Sequence, residues 1–249
     1  MIDFHTHILP NLDDGAKDAA ISAALLQMEA DQEVKEIVFT PHYYGKRSVG
    51  HFLALRNEAF AKIQPFIPSG VKVRLGAEIH FTGVNDPAFE SICTLGVEGT
   101  KTVLLEFPFT TGWSARIFDR VEKFIADTGY TPIVAHVERY DEVLKNPALA
   151  YSLAELGCLL QVNTGAFLDK KTQGFALAML KHGLVHCFGT DTHNVETRTP
   201  DYAAAKEVVQ AAGLGAEWAK AQLDMRKILD GELVIPAFSP VKRFLKWYF

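Results

Sequence analysis

The chain has 249 residues, 48% of them hydrophobic, and a formal net charge of −5. That length suits one well-buried α/β domain over residues 1–249, and the acidic balance argues against binding nucleic acid, whose phosphates call for Lys and Arg. The opening MIDFHTHILP lacks the cationic and apolar regions of a secretory signal, and no apolar run reaches the roughly 18 to 20 residues that cross a bilayer, so a cytoplasmic protein with no membrane insertion is expected.

In chain order, the first β-rich run covers residues 2–5. A helical pattern follows, with Ile21, Ala24, Leu25 and Met28 at i, i+3, i+4 and i+7. A second strand is predicted at 36–40, a helix at 51–65 and a third strand at 71–77. The fourth strand covers 102–107, and Ile117, Val121, Phe124 and Ile125 mark the helix behind it. A fifth strand at 131–135 precedes a weaker helical repeat of Leu149, Leu153 and Leu156. The sixth strand is placed at 159–163, with a helix at 171–182. The seventh is placed at 185–189, with helices at 200–212 and 216–229. Such alternation implies a parallel sheet with crossover helices. About seven units in this length suit a closed or distorted barrel, with a doubly wound open sheet as the alternative. Cys93, Cys158 and Cys187 lack CxxC spacing and are expected as small buried thiols.

The unusual residues fall at the strand ends. His5 and His7 end the first strand, His42 the second, Glu78 the third, Glu106 the fourth and His136 the fifth. Asp191 and His193 end the seventh, and Asp13 and Asp14 lie in the loop after the first. In a parallel barrel every C-terminal strand end opens onto one face, so these residues should converge. Imidazole and carboxylate suit divalent manganese, iron or zinc. His5 and His7, two apart on one strand, share a face, and Asp191 and His193 repeat that spacing. Asp14 is taken as the ligand of its loop, with Asp13 as the alternative. Nine ligands exceed the needs of one ion, so two or three ions with a bridging carboxylate are expected. Such a cluster suits phosphate ester hydrolysis. Arg139 and Arg198, just past His136 and His193, are placed as phosphate contacts. His51, His182 and His186 fit positions away from the mouth, while His80 stands two residues from Glu78.

In this order, FHTHILPNLDDG, TPHYY, LGAEIH, LLEFP, AHVERY and GTDTHN resemble the CpsB/YwqE-like capsule-type bacterial protein tyrosine phosphatases, a branch of the polymerase and histidinol phosphatase (PHP) superfamily. The resemblance runs from residue 1 to about residue 238. It implies a distorted TIM-like PHP barrel with about seven parallel strands and outer helices, and a three-ion site usually served by manganese. The implied substrate is a tyrosine-phosphorylated bacterial kinase that controls capsule or exopolysaccharide synthesis. By the same resemblance His5, His7, Glu78 and Asp191 would hold one ion. Glu78, Glu106 and His136 would hold a second, and Asp14, His42 and His193 a third. Arg139 and Arg198 match the family's phosphate-binding arginines. Val137 stands where the family usually has Pro, and Thr190 and Thr192 replace the commoner Ser and Ala; none of these removes a ligand.

A PHP metabolite phosphatase acting on histidinol phosphate is the nearest rival, although its sites often carry His in place of Asp14 and Glu106. A PHP phosphodiesterase would call for a basic aromatic groove. A decayed regulatory domain does not fit a complete ligand set, and a barrel amidohydrolase commonly adds a bridging Lys. Thiol-based tyrosine phosphatases need Arg six positions after the nucleophilic Cys; here those positions hold Gly99, Thr164 and His193. Tyr43, Tyr44, Phe107, Phe109 and Trp113 are candidates to flank a phosphorylated phenol. The basic, aromatic tail from about residue 237 is expected as a terminal helix packed on the barrel or on a second copy, with docking to a partner or near a membrane as the sharper reading. A homo-oligomer is left open.

Overall fold

The computed structural model describes residues 1–83, 87–109, 113, 115–244 and 247–249. Strand β1 (Ile2–Thr6) leads into helix α1 (Ala19–Asp31), then β2 (Glu36–Phe39), β3 (His42–Tyr43) and α2 (Val49–Ile63). Next come β4 (Lys72–Leu75), β5 (Glu78–His80), α3 (Phe89–Cys93), β6 (Thr102–Glu106) and α4 (Ala115–Thr128). Strand β7 (Thr131–Val134) is followed by α5 (Asp141–Lys145), α6 (Ala148–Glu155), β8 (Leu159–Asn163) and α7 (Gln173–Lys181). The chain then forms β9 (Cys187–Gly189), α8 (Tyr202–Ala211), α9 (Gly215–Leu229), β10 (Arg243–Phe244) and β11 (Trp247–Tyr248).

The strands up to β9 pair in parallel, as the alternating pattern requires. One sheet runs β1-β2-β4 and a six-stranded curled sheet runs β3-β5-β6-β7-β8-β9. The sheets meet where Asp191 N–H donates to the His5 carbonyl (2.8 Å) and His7 N–H to the Thr192 carbonyl (2.9 Å). Gly189 permits this approach, because a Cβ there would lie 2.4 Å from the His5 Cβ. Phe4, Ile37, Leu104, Ile133, Leu160 and Phe188 are buried along the strands, as expected where helices cover a parallel sheet.

The expectation of about seven strands is corrected. The curled sheet has six, forming a half-barrel, and the strands predicted at 36–40 and 71–77 are each followed by a further short strand, β3 and β5. Thr40–Pro41 separates β2 from β3, and Gly76–Ala77 separates β4 from β5. Pro41 has no N–H to give a ladder, and Gly76 relaxes the backbone there. Helix α1 is also rotated from its predicted face. Ser22, Leu25, Leu26 and Glu29 are buried while Ala24 is exposed, because Ser22 Oγ donates to the Ile8 carbonyl at 2.6 Å. Helix α4 keeps its predicted face, with Val121 and Phe124 in the core. The tail is not a helix: β10 and β11 pair antiparallel. Pro236 and Pro240 interrupt the segment before them, and the aromatic residues suit a half-buried pleat.

Candidate metal centre

All nine predicted ligand residues and both arginines gather together; most lie at or just past the C-terminal ends of strands, whereas His42 and Glu78, expected to end the second and third strands, open the short strands β3 and β5. His5, His7, Glu78, Glu106, His136, Asp191 and His193 are buried, His42 is nearly so, and the Asp14 side chain is 63% exposed at the mouth. His5 Nε2 lies 3.2 Å from Glu78 Oε2 and 3.7 Å from Asp191 Oδ1. His7 Nε2 lies 3.3 Å and 3.4 Å from the same two oxygens. His136 Nε2 lies 2.8 Å from Glu78 Oε1 and 3.5 Å from Glu106 Oε1. Glu78 Oε2 is also 3.0 Å from His42 Nδ1, so this carboxylate sits between the groups. Asp14 Oδ1 is 3.6 Å from both His42 Nε2 and His193 Nε2.

Local backbone aims these side chains. His136 and Asp191 adopt left-handed conformations, with φ of 31° and 54°. Each costs about 1–2 kcal/mol for an L-residue, a strain that recurs at functional sites. The turn carrying Asp13 folds tightly over β1: a Cβ on Gly15 would lie 2.1 Å from the His7 carbonyl oxygen.

A second layer fixes the imidazole tautomers. His5 Nδ1–H donates to Gln161 Oε1 (3.1 Å), and His7 Nδ1–H donates to Asp13 Oδ2 (2.7 Å). Gln161 Oε1 also accepts from His136 N–H at 2.7 Å, and Asp13 Oδ2 from His42 N–H at 2.8 Å. His193 Nδ1–H donates to the Asp191 carbonyl at 2.8 Å, leaving the Nε2 lone pair toward Asp14. The His5 and His7 Nε2 atoms therefore face each other at 3.0 Å, which calls for a shared proton or a cation. Sequence reasoning had Asp13 only as an alternative ligand and missed Gln161 and Asn163. Their signal was present: they are polar residues two apart in an otherwise apolar strand.

Electrostatics point the same way. Burial opposes ionisation of Glu78 and Asp191, yet the imidazoles around them hold both carboxyls well below the usual range. Burial would lower His5 and His7 as well, but the neighbouring carboxylates outweigh it and raise both. Burial and the neighbouring His7 push His193 down to about 3, which keeps it neutral. The cluster thus demands positive charge. Although 3.0 Å apart, His42 Nδ1 and Glu78 Oε2 are not aligned for a hydrogen bond, and His193 Nε2 is buried without one, which is costly unless something else coordinates them. Groups suited to one cation are His5, His7 and Glu78; His42, Glu78 and Glu106; and His7, Asp14, His42 and His193. The residues present fit divalent ions, which would be held here by imidazole and carboxylate.

Arg139 Nη1 and Arg198 Nη2 both reach Asp191 Oδ2, at 3.1 Å and 2.7 Å. They line one cleft with Asn163, whose Nδ2 donates to the same oxygen at 3.0 Å. His80 borders the cluster through Glu106 Oε2, 3.1 Å from its Nδ1. The expected aromatic flank is narrower than predicted. Tyr43 and Phe107 are buried, and Trp113 packs against Phe107 and Tyr140. Tyr44 and Phe109 remain 46% and 45% exposed. Tyr44 stacks on His42 with ring centroids 4.7 Å apart, and Phe109 on His136 at 5.6 Å. The cysteines are free, with Cys158 and Cys187 buried as expected and Cys93 partly exposed. His186 is buried at the start of β9, away from the cluster.

Residues 1–222 match the family model for capsular polysaccharide synthesis, CpsB/CapC. The tyrosine-protein phosphatase YwqE of Bacillus subtilis is 32% identical over 80% of this chain and 79% of its own length. The tyrosine-protein phosphatase CpsB of Streptococcus pneumoniae is 29% identical over 94% of this chain and 100% of its own. A structure from the crystal structures of these two proteins, described as unique metal-dependent tyrosine phosphatases, superposes with a TM-score of 0.82. It is 28% identical and covers 98% of this chain and 100% of that one.

Proposed function

The chain belongs to the CpsB/CapC family of capsular polysaccharide synthesis, and we propose that its histidine–carboxylate cluster is the catalytic centre of a cytoplasmic phosphatase that removes phosphate from a tyrosine-phosphorylated bacterial kinase. The activity is that of a metal-dependent tyrosine-protein phosphatase, a phosphoric monoester hydrolase. The observation that carries the assignment of the site is the set of buried, unbonded ligand atoms on His42, Glu78 and His193.

His5, His7, Glu78 and Asp191 would hold one divalent ion; Glu78, Glu106 and His136 a second; Asp14, His42 and His193 a third, with manganese the first choice and iron or zinc the alternatives. Bound ions would supply Lewis-acid neutralisation of phosphate charge and lower the pKa of water. Arg139 and Arg198 bind phosphoryl oxygens, offering paired N–H donors that Lys cannot copy. Gln161 and Asp13 hold the imidazoles in the tautomers that ligation needs. Tyr44 and Phe109, exposed beside the cluster, flank the phenol ring of the substrate. The catalytic unit is the single domain up to the tail at about residue 237.

Catalytic efficiency toward a phosphotyrosine peptide should exceed that toward a phosphoserine peptide or histidinol phosphate. Each aromatic contact is worth about 0.5–1.5 kcal/mol. Tyr44→Ala and Phe109→Ala should therefore narrow the phosphotyrosine preference by roughly two- to ten-fold each. A preference for histidinol phosphate in the parent enzyme would defeat the substrate assignment and leave the metal centre standing.

A further inference from the structure

The 13 residues from Ala237 onward contain Lys242, Arg243 and Lys246 and no Asp or Glu. Without those three cations the chain's formal charge of −5 would be −8, so the segment is a cationic island on an acidic protein. Phe238, Phe244, Trp247, Tyr248 and Phe249 make it aromatic as well. It also lies beyond residue 222, where the match to the family model ends.

Its geometry divides the side chains between two faces. Lys242 N–H donates to the Phe249 carbonyl at 2.7 Å, and Phe249 N–H donates back at 2.9 Å. Arg243 pairs with Tyr248. Strand alternation turns Tyr248 inward. Its ring lies 5.2 Å from that of Phe175, and its hydroxyl donates to the Leu144 carbonyl at 2.9 Å. Trp247 and Phe249 fall on the opposite face, where they are 65% and 54% exposed. Lys242, directly across from Phe249, is exposed with them. The pair of strands is therefore anchored through Tyr248 and presents aromatic rings beside a cation.

The anchor packs on elements that also border the arginine cleft. Leu144 belongs to α5, the helix that follows His136 and Arg139. A Cβ on Gly174, at the start of α7, would lie 3.8 Å from the Tyr248 ring. Two residues earlier, Thr172 lines the cleft that contains Arg139 and Arg198.

We propose that the β10–β11 pair is a peripheral docking element for an anionic lipid surface, which it meets close to the mouth of the metal centre. Aromatic rings settle at the headgroup level of a bilayer, and neighbouring Lys and Arg are drawn to anionic lipids. An acidic protein surface would use the same cations and rings, and binding to vesicles separates the two. No helix among the described residues is long and apolar enough to cross a membrane, so this attachment is interfacial.

Co-sedimentation of the full chain with vesicles tests the proposal, whatever the substrate of the metal centre. Phosphatidylcholine vesicles should retain little protein, and added phosphatidylglycerol should bring it down in a salt-sensitive way. Lys242→Glu, on the face of the exposed rings, should weaken that binding at least about five-fold, given the contribution of each cation at an anionic surface. Trp247→Ala should weaken it several-fold while leaving its salt dependence. Unchanged melting temperatures show that the variants fold. Equal retention on both vesicles, retention on neither, or variants that bind like the parent would overturn the proposal. Capture by immobilised polyglutamate without capture by phosphatidylglycerol would assign the face to an acidic protein instead, and would equally overturn it.

Discussion

Asp191 divides its two oxygens between different tasks. Oδ1 faces His5 and His7 at 3.7 Å and 3.4 Å, whereas Oδ2 takes Arg139, Arg198 and Asn163. The proposed metal ligation and phosphate binding are therefore separable by substitution, even though both sets of residues meet one carboxylate. His5→Ala and Asp191→Ala should reduce the metal content of the purified protein together with its turnover. Arg139→Ala and Arg198→Ala should keep the metal and lose turnover by roughly ten- to thousand-fold, the range for removing a charge-stabilising donor. Arg198→Lys should recover little, because an ammonium lacks the planar fork of a guanidinium. Elemental analysis beside steady-state kinetics separates the two cases. Equal metal loss in the arginine variants would mean that these residues maintain the ligand cluster and do not bind phosphate themselves.

At the scale of elements, the ends of β1, β6 and β7 were readable, because apolar runs ending in His, Asp or Glu are rare without a reason. The short strands that follow the second and third were not. Thr40, Gly76 and Ala77 fall within the predicted strands, and only the pairing of His42 with Glu78 reveals β3 and β5 beyond them. Helix α1 was misread for a related reason: apolar periodicity cannot register a buried Ser22 or Glu29 whose partners lie on other elements. His186, read from sequence as remote from the mouth, has a structural task that the sequence did not disclose. Its backbone N–H donates to the Leu160 carbonyl at 2.9 Å, and its Nδ1 accepts the Leu160 N–H at 2.8 Å. The ring thus ties the start of β9 to β8 only while it is neutral. Burial, helped by Lys220, pushes its pKa down to about 4. The unfolded chain, near the ordinary value of about 6.5, takes up the proton first. The stabilisation is therefore complete above about pH 6.5 and is lost as pH falls toward 4. Between pH 7 and 5 the parent should lose about 2 kcal/mol more than His186→Asn, whose amide oxygen can accept the same N–H without titrating. Denaturant unfolding at the two pH values measures this difference, and parallel losses would show that His186 is not the group responsible.

Across the whole molecule, the ligand set joins positions as distant in sequence as His5 and His193. Four carboxylates and five imidazoles from separate strands and the loops beside them meet here, so the cost of assembling them is borne by the fold. Raised His5 and His7 offset part of that charge in the metal-free chain, but they leave buried ligand atoms unbonded. An unfolded chain presents no such array, so metal should bind the native state and stabilise it by mass action. That amounts to about 4 kcal/mol per site at a thousand-fold excess over Kd, and roughly 10 °C in Tm for a chain of this size. Chelation should therefore lower Tm and abolish phosphatase turnover together, and manganese should restore both. Thiol alkylation should leave turnover largely intact. Burial pushes Cys158 up to about 12 and raises Cys187 as well, and none of the three cysteines has Arg six positions on. The two treatments act on different groups, so their contrast decides between metal and thiol chemistry. Full turnover in stringently demetallated protein, or its loss on alkylation with the metal content unchanged, would remove the cluster from the reaction.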